Sequence, residues 1–211
     1  MRLGILGSGN VGQTLGSAFA ELGHEVKIGT REPEKLAAWA AKTGGKGSAA
    51  SNAQAAEWGE LAVLATLFTA AEAAIRLAGP EHFSGKVLID VTNPLDFSSG
   101  APKLSVGHTD SAGEQIQRLL PQARVVKAFN IVGAPHMFRP QFPGGPPDMF
   151  YCGDDDAAKA RVREILEAFG WNPIDIGGIE GARLLEPLAM LWIEHGRRTN
   201  TWNHAFKLLK R

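Results

Sequence analysis

Leu3-Gly4-Ile5-Leu6-Gly7-Ser8-Gly9-Asn10-Val11-Gly12 is the stretch on which the fold turns. Leu3 to Leu6 carries no charge, as a strand covered on both faces should not. Gly7, Gly9 and Gly12 follow at once. Then Val11, Leu15, Ala18, Phe19 and Leu22 recur at spacings of three and four, the apolar stripe of a helix. Gly23 stands where such a helix stops, and Val26 to Gly29 is a second short strand. Strand, glycine turn, helix and strand make a βαβ unit with a right-handed crossover. In that setting each glycine has its own task. Gly7 makes the tight turn, Gly9 lets backbone approach a pyrophosphate, and Gly12 lets the helix pack close to the strand. The helix N-terminus then offers free N–H groups and a partial positive charge to phosphates.

Outward from this unit the alternation continues. Helices are predicted over 33–42, 53–58, 69–78 and 113–120, and strands over 48–50, 61–66, 87–91 and 124–128, with 95–110 a loop. Strands separated by helical stretches indicate a parallel sheet. The expected fold is α/β, a doubly wound parallel sheet of the Rossmann, NAD(P)-binding type with a short C-terminal helical extension. Residues 1–130 form the dinucleotide-binding domain. Residues 131–211 form the extension, with a loop, two further strands and C-terminal helices. Its first part, to residue 148, is too rich in proline and glycine for regular structure and reads as a disordered surface loop or an ordered flap over a site. Strands over 149–152 and 171–176 flank a helix capped by Asp154 or Asp155 and ending at Phe169. Apolar helices follow over 184–195 and 202–209.

Composition narrows the function. The 211 residues carry 22 Lys plus Arg and 22 Asp plus Glu, and that balance argues against a broad nucleic-acid surface. The longest apolar run, Leu61 to Phe68, is far short of the roughly 20 residues of a membrane helix. The single cysteine, Cys152, excludes an intrachain disulfide and suits a reducing compartment, so a cytoplasmic protein is expected. Cys152 inside a strand reads as a buried structural thiol. No His, Cys or Asp spacing suggests a metal site. Among the histidines, His136 in the proline-rich segment is the one best placed to meet a substrate.

The tip of the second strand bears on which dinucleotide fits. NAD sites usually carry an acid there, bonding the ribose 2′-hydroxyl. Here the tip reads Ile28-Gly29-Thr30-Arg31. Thr30 offers a hydroxyl, Arg31 a planar fork for a 2′-phosphate, and Lys35, a turn further on, another positive group. The pattern spells NADP(H) rather than NAD. The competing reading makes Arg31 and Lys35 a solvated face paired with Glu32 and Glu34.

Five segments together carry a resemblance: Leu3 to Gly12, Gly29-Thr30-Arg31, Asp90-Val91-Thr92-Asn93-Pro94, Val125-Val126-Lys127-Ala128-Phe129-Asn130 and Cys152-Gly153-Asp154-Asp155-Asp156. In order and over nearly the whole chain they resemble the NADP oxidoreductase, coenzyme F-420-dependent family, which includes archaeal F-420:NADP oxidoreductases. They are also similar to the cytosolic oxidoreductase domains of the mammalian STEAP ferric reductases. The resemblance implies direct hydride transfer between NADP(H) and a small-molecule acceptor, coenzyme F-420 or a flavin such as FMN or FAD. It implies that Ser8, Gly9, Asn10 and Val11 hold the pyrophosphate and that Thr30, Arg31 and Lys35 hold the 2′-phosphate. Thr66, Leu67 and Phe68 would line the nicotinamide ribose, with Asn93 and Pro94 beside the nicotinamide. Phe129, Asn130 and Ile131 would border the second ring system. Archaeal members follow the sixth strand with a His-containing segment; Phe129-Asn130 here is of the STEAP type.

Direct hydride transfer needs no protein acid or base, so no catalytic residue is assigned; the protein supplies distance and orientation. Val132, Gly133 and Ala134 leave room for a flat ring, with Met137 or Phe138 as a lid. A 2-hydroxyacid-type dehydrogenase would need a larger second domain. An NADPH-binding redox sensor without turnover is the non-enzyme alternative. The apolar density of residues 184–193 predicts a homodimer.

Overall fold

The computed structural model describes residues 1–98 and 100–209. The βαβ unit opens it: β1 (Arg2–Leu6), α1 (Asn10–Glu21) and β2 (Glu25–Gly29). Leu3, Ile5 and Leu6 are fully buried because β1 is central, flanked by β2 and by β4 (Leu61–Leu64). β3 (Gly47–Ala50) forms one edge, while β5 (Val87–Asp90) and β8 (Arg124–Lys127) extend the other side. These six strands are parallel. Their helices are α2 (Ala37–Ala41), α3 (Asn52–Trp58), α4 (Phe68–Ala78) and α5 (Ala112–Leu119).

The sheet does not stop at residue 130. β9 (Asp148–Gly153) pairs antiparallel with β8, and β10 (Asn172–Asp175) pairs parallel with β9. The eight-strand order is β10-β9-β8-β5-β4-β1-β2-β3. α6 (Asp156–Ala168) joins the last two strands. One apolar layer packs α1 and α6 against one sheet face, through Phe19, Val162 and Phe169. Ile75 and Ile116 of α4 and α5 pack on the other.

Three expectations are corrected. The stretch 95–110 contains a small antiparallel hairpin, β6 (Leu95–Asp96) with β7 (Lys103–Leu104). Its turn is fixed by Ser98 donating to Asp96 and by the Lys103–Asp96 ion pair. The segment 131–148 is neither flap nor lid, although Gln141 and Pro143 to Pro146 do lie at the surface. Met137 is buried, its carbonyl accepting from the Trp171 indole, and Phe138 packs edge-on to Phe169. Finally, 202–209 is not helical. α7 (Ala182–Thr199) ends at Asn200, whose φ of 52° breaks the helix. The chain returns as an irregular strap. Trp202 lies 5.3 Å from Trp192, and the Phe206 carbonyl accepts from the Asp148 amide. The apolar residues that suggested a helix face are anchors of this strap.

Candidate functional site

The carboxyl ends of β1, β2 and β4 open into a cleft of about 590 Å³ lined by Gly7 to Val11, Thr30, Arg31, Thr66 and Leu67. Gly7 adopts φ 119°, and a Cβ there would strike the Ala65 carbonyl at 2.4 Å. A Cβ on Gly12 would lie 1.9 Å from the Gly7 carbonyl, so helix and strand touch only because Gly12 has no side chain. Gly9 differs. Nothing in the protein lies within 4 Å of the place its Cβ would take. The space above Gly9 is therefore open for something other than protein.

Helix starts at the cleft lack side-chain caps, as do α2 and α7, whose starts continue from preceding turns. α3, α5 and α6 begin with side-chain caps from Ser51, Ser111 and Asp155. α1 and α4, whose first turns face the cleft, have no side-chain cap and no acidic residue in the first turn. Their leading N–H groups carry the partial positive charge of a helix start into one cavity. A diphosphate fits that donor set and the room over Gly9.

At the β2 tip, the Thr30 hydroxyl accepts from the Glu32 amide at 3.1 Å. Arg31 is exposed on the cleft wall and makes no ion pair among the described residues. Lys35 turns to Glu32 instead. Their bond lowers the Glu32 carboxyl pKa and raises that of the Lys35 ammonium. Lys35 is not among the lining residues, whereas Glu32 is. Asn52 at the start of α3 also lines the cleft. Its Oδ1 lies 2.5 Å from where a Cβ on Gly29 would be, so Gly29 makes room for it. Nothing local in the sequence marks Asn52; only the parallel pairing of β2 with β3 brings it here. Ala70, Ala73, Ala74 and Leu77 of α4 supply an apolar opposite wall.

The nicotinamide-side residues divide. Leu67 is exposed at the rim, and Thr66 holds a buried hydroxyl with no partner. Phe68 packs against the core layer of α4 instead of the cleft. Asn93 donates to the Asn130 carbonyl at 2.7 Å, and the Asn130 amide donates back to Asn93 Oδ1 at 3.0 Å and to the Leu185 carbonyl at 3.0 Å. Pro94 is buried, its carbonyl held by Ser105. Phe129 and Ile131 do not face a ligand with their side chains. Phe129, at φ 63°, is buried against Phe169, and Ile131 is in the same core. Val132 is buried too, and a Cβ on Gly133 would meet Trp192 at 2.9 Å, so this stretch leaves no slot for a ring. His136 bonds Asn203 of the strap.

Below the Asn93–Asn130 pair lies a charge cluster that sequence reading missed. Lys127 Nζ donates to Asp90 at 2.7 Å and to the Thr92 carbonyl at 2.8 Å, and pairs with Glu186 at 3.1 Å. All three ionisable side chains are essentially fully buried. Burial works to strip the Lys127 proton, but the two carboxylates outweigh it and hold its pKa above the usual lysine range. Burial pushes Glu186 up, against the pull of Lys127 and of the Ala112 and Gly113 amides. Cys152 is buried beside this cluster, its thiol pushed up to about 12 mainly by desolvation. Among the described residues no His, Cys, Asp and Glu group could hold a metal, and no helix is long and apolar enough to cross a membrane.

A family profile described as NADP oxidoreductase coenzyme F420-dependent matches residues 2–94. The chain is 34% identical over 223 aligned residues to an F420-dependent NADP reductase of Methanothermobacter marburgensis, covering 99% of this chain and 98% of that one. It is 30% identical to the metalloreductase STEAP3 of Rattus norvegicus over 90% of this chain but only 37% of that protein. A candidate F420-dependent NADP-reductase from Arthrobacter sp. FB24, known from its crystal structure, superposes with a TM-score of 0.94. It has 42% identity and full coverage of both chains.

Proposed function

Because the chain belongs to the NADP oxidoreductase, coenzyme F420-dependent family, we propose that it is an NADPH-dependent reductase exchanging hydride with coenzyme F420 or a flavin. The observation that carries the NADP(H) half is the cleft itself: two uncapped helix starts, open space over Gly9, and an unpaired Arg31 at the β2 tip. The acceptor half rests on the near-full-length likeness to a protein named F420-dependent NADP reductase.

In this reading Ser8 to Val11 hold the diphosphate through backbone N–H groups. Thr30 and Arg31 hold the 2′-phosphate, Arg31 through a forked, charge-assisted contact. Lys35 adds to the positive field once Glu32 releases it. Asn52 and the α4 alanines flank the adenosine. Thr66 and Leu67 meet the nicotinamide ribose, and Asn93 with Asn130 meets the nicotinamide. The bound dinucleotide supplies the hydride at its nicotinamide C4. The protein excludes water and fixes the angle of approach, which for such a transfer is the main service a protein gives. The acceptor ring rests against Asn93, Asn130 and the β6–β7 hairpin, since the segment after Asn130 is core.

α7 exposes Leu184 and Leu191, at 68% and 59% of their surface, two turns apart on one face. A homodimer through this face is part of the proposal. The test of the whole reading is anaerobic oxidation of NADPH with added coenzyme F420, FMN and FAD in parallel. Turnover with any of the three supports it. No oxidation with all three, by protein that binds NADPH, removes the reductase reading and leaves a binding module.

A further inference from the structure

We propose that Lys127 is a positioning residue: it locks the carboxyl end of β5 and helix α7 to the same strand end, and so sets the Asn93–Asn130 pair to receive the nicotinamide. This rests on the NADP(H) reading above. The geometry is a closed accounting of donors. Lys127 has three N–H groups and three acceptors, the Asp90 carboxylate, the Thr92 carbonyl and the Glu186 carboxylate. Asp90 also accepts from the Thr92 amide and hydroxyl. Glu186 also accepts from the first-turn amides of Ala112 and Gly113. One ammonium thus ties β5, β8, α5 and α7 together.

The pair it supports is anchored one residue away on each side. Thr92 adjoins Asn93, and Glu186 adjoins Leu185, the residue whose carbonyl takes the second Asn130 N–H. The orientation of the Asn130 carboxamide is therefore fixed. Turning it over would set its oxygen against two other oxygens. What remains is Asn130 Oδ1, buried and without a partner. A buried acceptor left open is costly in the free protein, which fits an atom kept for a ligand donor. The amide N–H of the nicotinamide carboxamide is a donor of the right kind; Asn130 lies outside the lining of the cleft of about 590 Å³, so the nicotinamide meets it only by passing beyond the Thr66–Leu67 rim.

The test compares NADPH with 2′-phospho-ADP-ribose, which keeps every group except the nicotinamide. The ratio of their dissociation constants measures the nicotinamide contribution without turnover. The double variant Asp90→Asn with Lys127→Met removes both ion pairs of Lys127 and leaves Glu186 held by the α5 amides alone. It should still unfold in one transition and bind 2′-phospho-ADP-ribose within about twofold, while the nicotinamide contribution falls about fivefold, the strength of one ordinary hydrogen bond. Should that variant fail to fold, Glu186→Gln keeps one acceptor for the two α5 amides, removes the charge facing Lys127, and should lower the same ratio at least about twofold. A lower melting temperature with an unchanged ratio makes Lys127 merely structural and overturns the proposal. Equal binding of both ligands by the unmodified protein overturns it alone. Binding of neither overturns the NADP(H) reading and this proposal with it.

Discussion

Gly9 and Gly12 sit three residues apart in one motif, yet alanine at the two positions should produce opposite results. At Gly9 the backbone is extended, φ −76° and ψ −174°, a conformation open to any residue, and an added Cβ meets nothing within 4 Å. Alanine shrinks the unfolded ensemble, which stabilises, and is a poorer helix start than glycine, which destabilises. The two effects are similar in size, so Gly9→Ala should unfold in urea within about 1 kcal/mol of the parent. The new methyl instead occupies the space assigned to the diphosphate. A tenfold loss of NADPH affinity, about 1.4 kcal/mol, is the least expected. At Gly12 the Cβ would lie 1.9 Å from the Gly7 carbonyl, and backbone on both sides prevents easy retreat. Separating α1 from β1 should cost about 1–3 kcal/mol of stability, before any ligand is added. Urea denaturation and a fluorescence titration with NADPH, run on both variants, check the pair. Gly9→Ala binding NADPH as well as the parent would refute the argument that phosphate passes over Gly9.

Further outcomes follow from the same geometry. Arg31→Ala should cut any preference for NADPH over NADH by at least about tenfold, since a charge-assisted contact to the 2′-phosphate supplies that much; titration with both nucleotides reads it, and an unchanged ratio places the 2′-phosphate elsewhere. For Cys152, burial pushes the thiol up to about 12, above its ordinary value of 9.0. The thiol therefore contributes stability that is full below pH 9 and is lost as pH rises toward 12, at about 1.4 kcal/mol per pH unit. Between pH 8 and pH 10 the parent should lose about 1.4 kcal/mol more than Cys152→Ala in urea melts; equal losses would show that the thiol is not desolvated. Leu184→Glu with Leu191→Glu should convert a dimer of twice 22.5 kDa into a monomer in sedimentation; an unmodified protein already monomeric at micromolar concentration removes the dimer.

The half of the molecule built from short-range signals was legible. β1, the glycine turn and α1 carry their pattern within twenty residues, and Arg31 follows directly. What escaped depends on partners far away in sequence. Asn52 reaches the cleft because β3 pairs with β2. The fate of Phe129 was hidden because a residue at a strand's carboxyl end can turn to ligand or to core, and Phe169, forty residues on, decides for the core. Lys127 looked like part of a family signature, yet its partners Asp90 and Glu186 stand 37 and 59 positions away. Trp202 and Phe206 mimicked helical spacing while serving as separate anchors of the strap.

The continuity of the sheet past residue 130 has a consequence for cutting the chain. β8 would be left with an unpaired edge if β9 and β10 were removed, since β9 supplies its hydrogen-bond partner on that side. An exposed, apolar, parallel edge invites pairing between molecules. In the whole chain the outermost strand on that side is β10, only four residues long and carrying Pro173, which has no N–H to offer a newcomer. A fragment ending at residue 130 would hold every phosphate-binding residue named above and still fail to stay dispersed in solution. The second half protects the sheet edge.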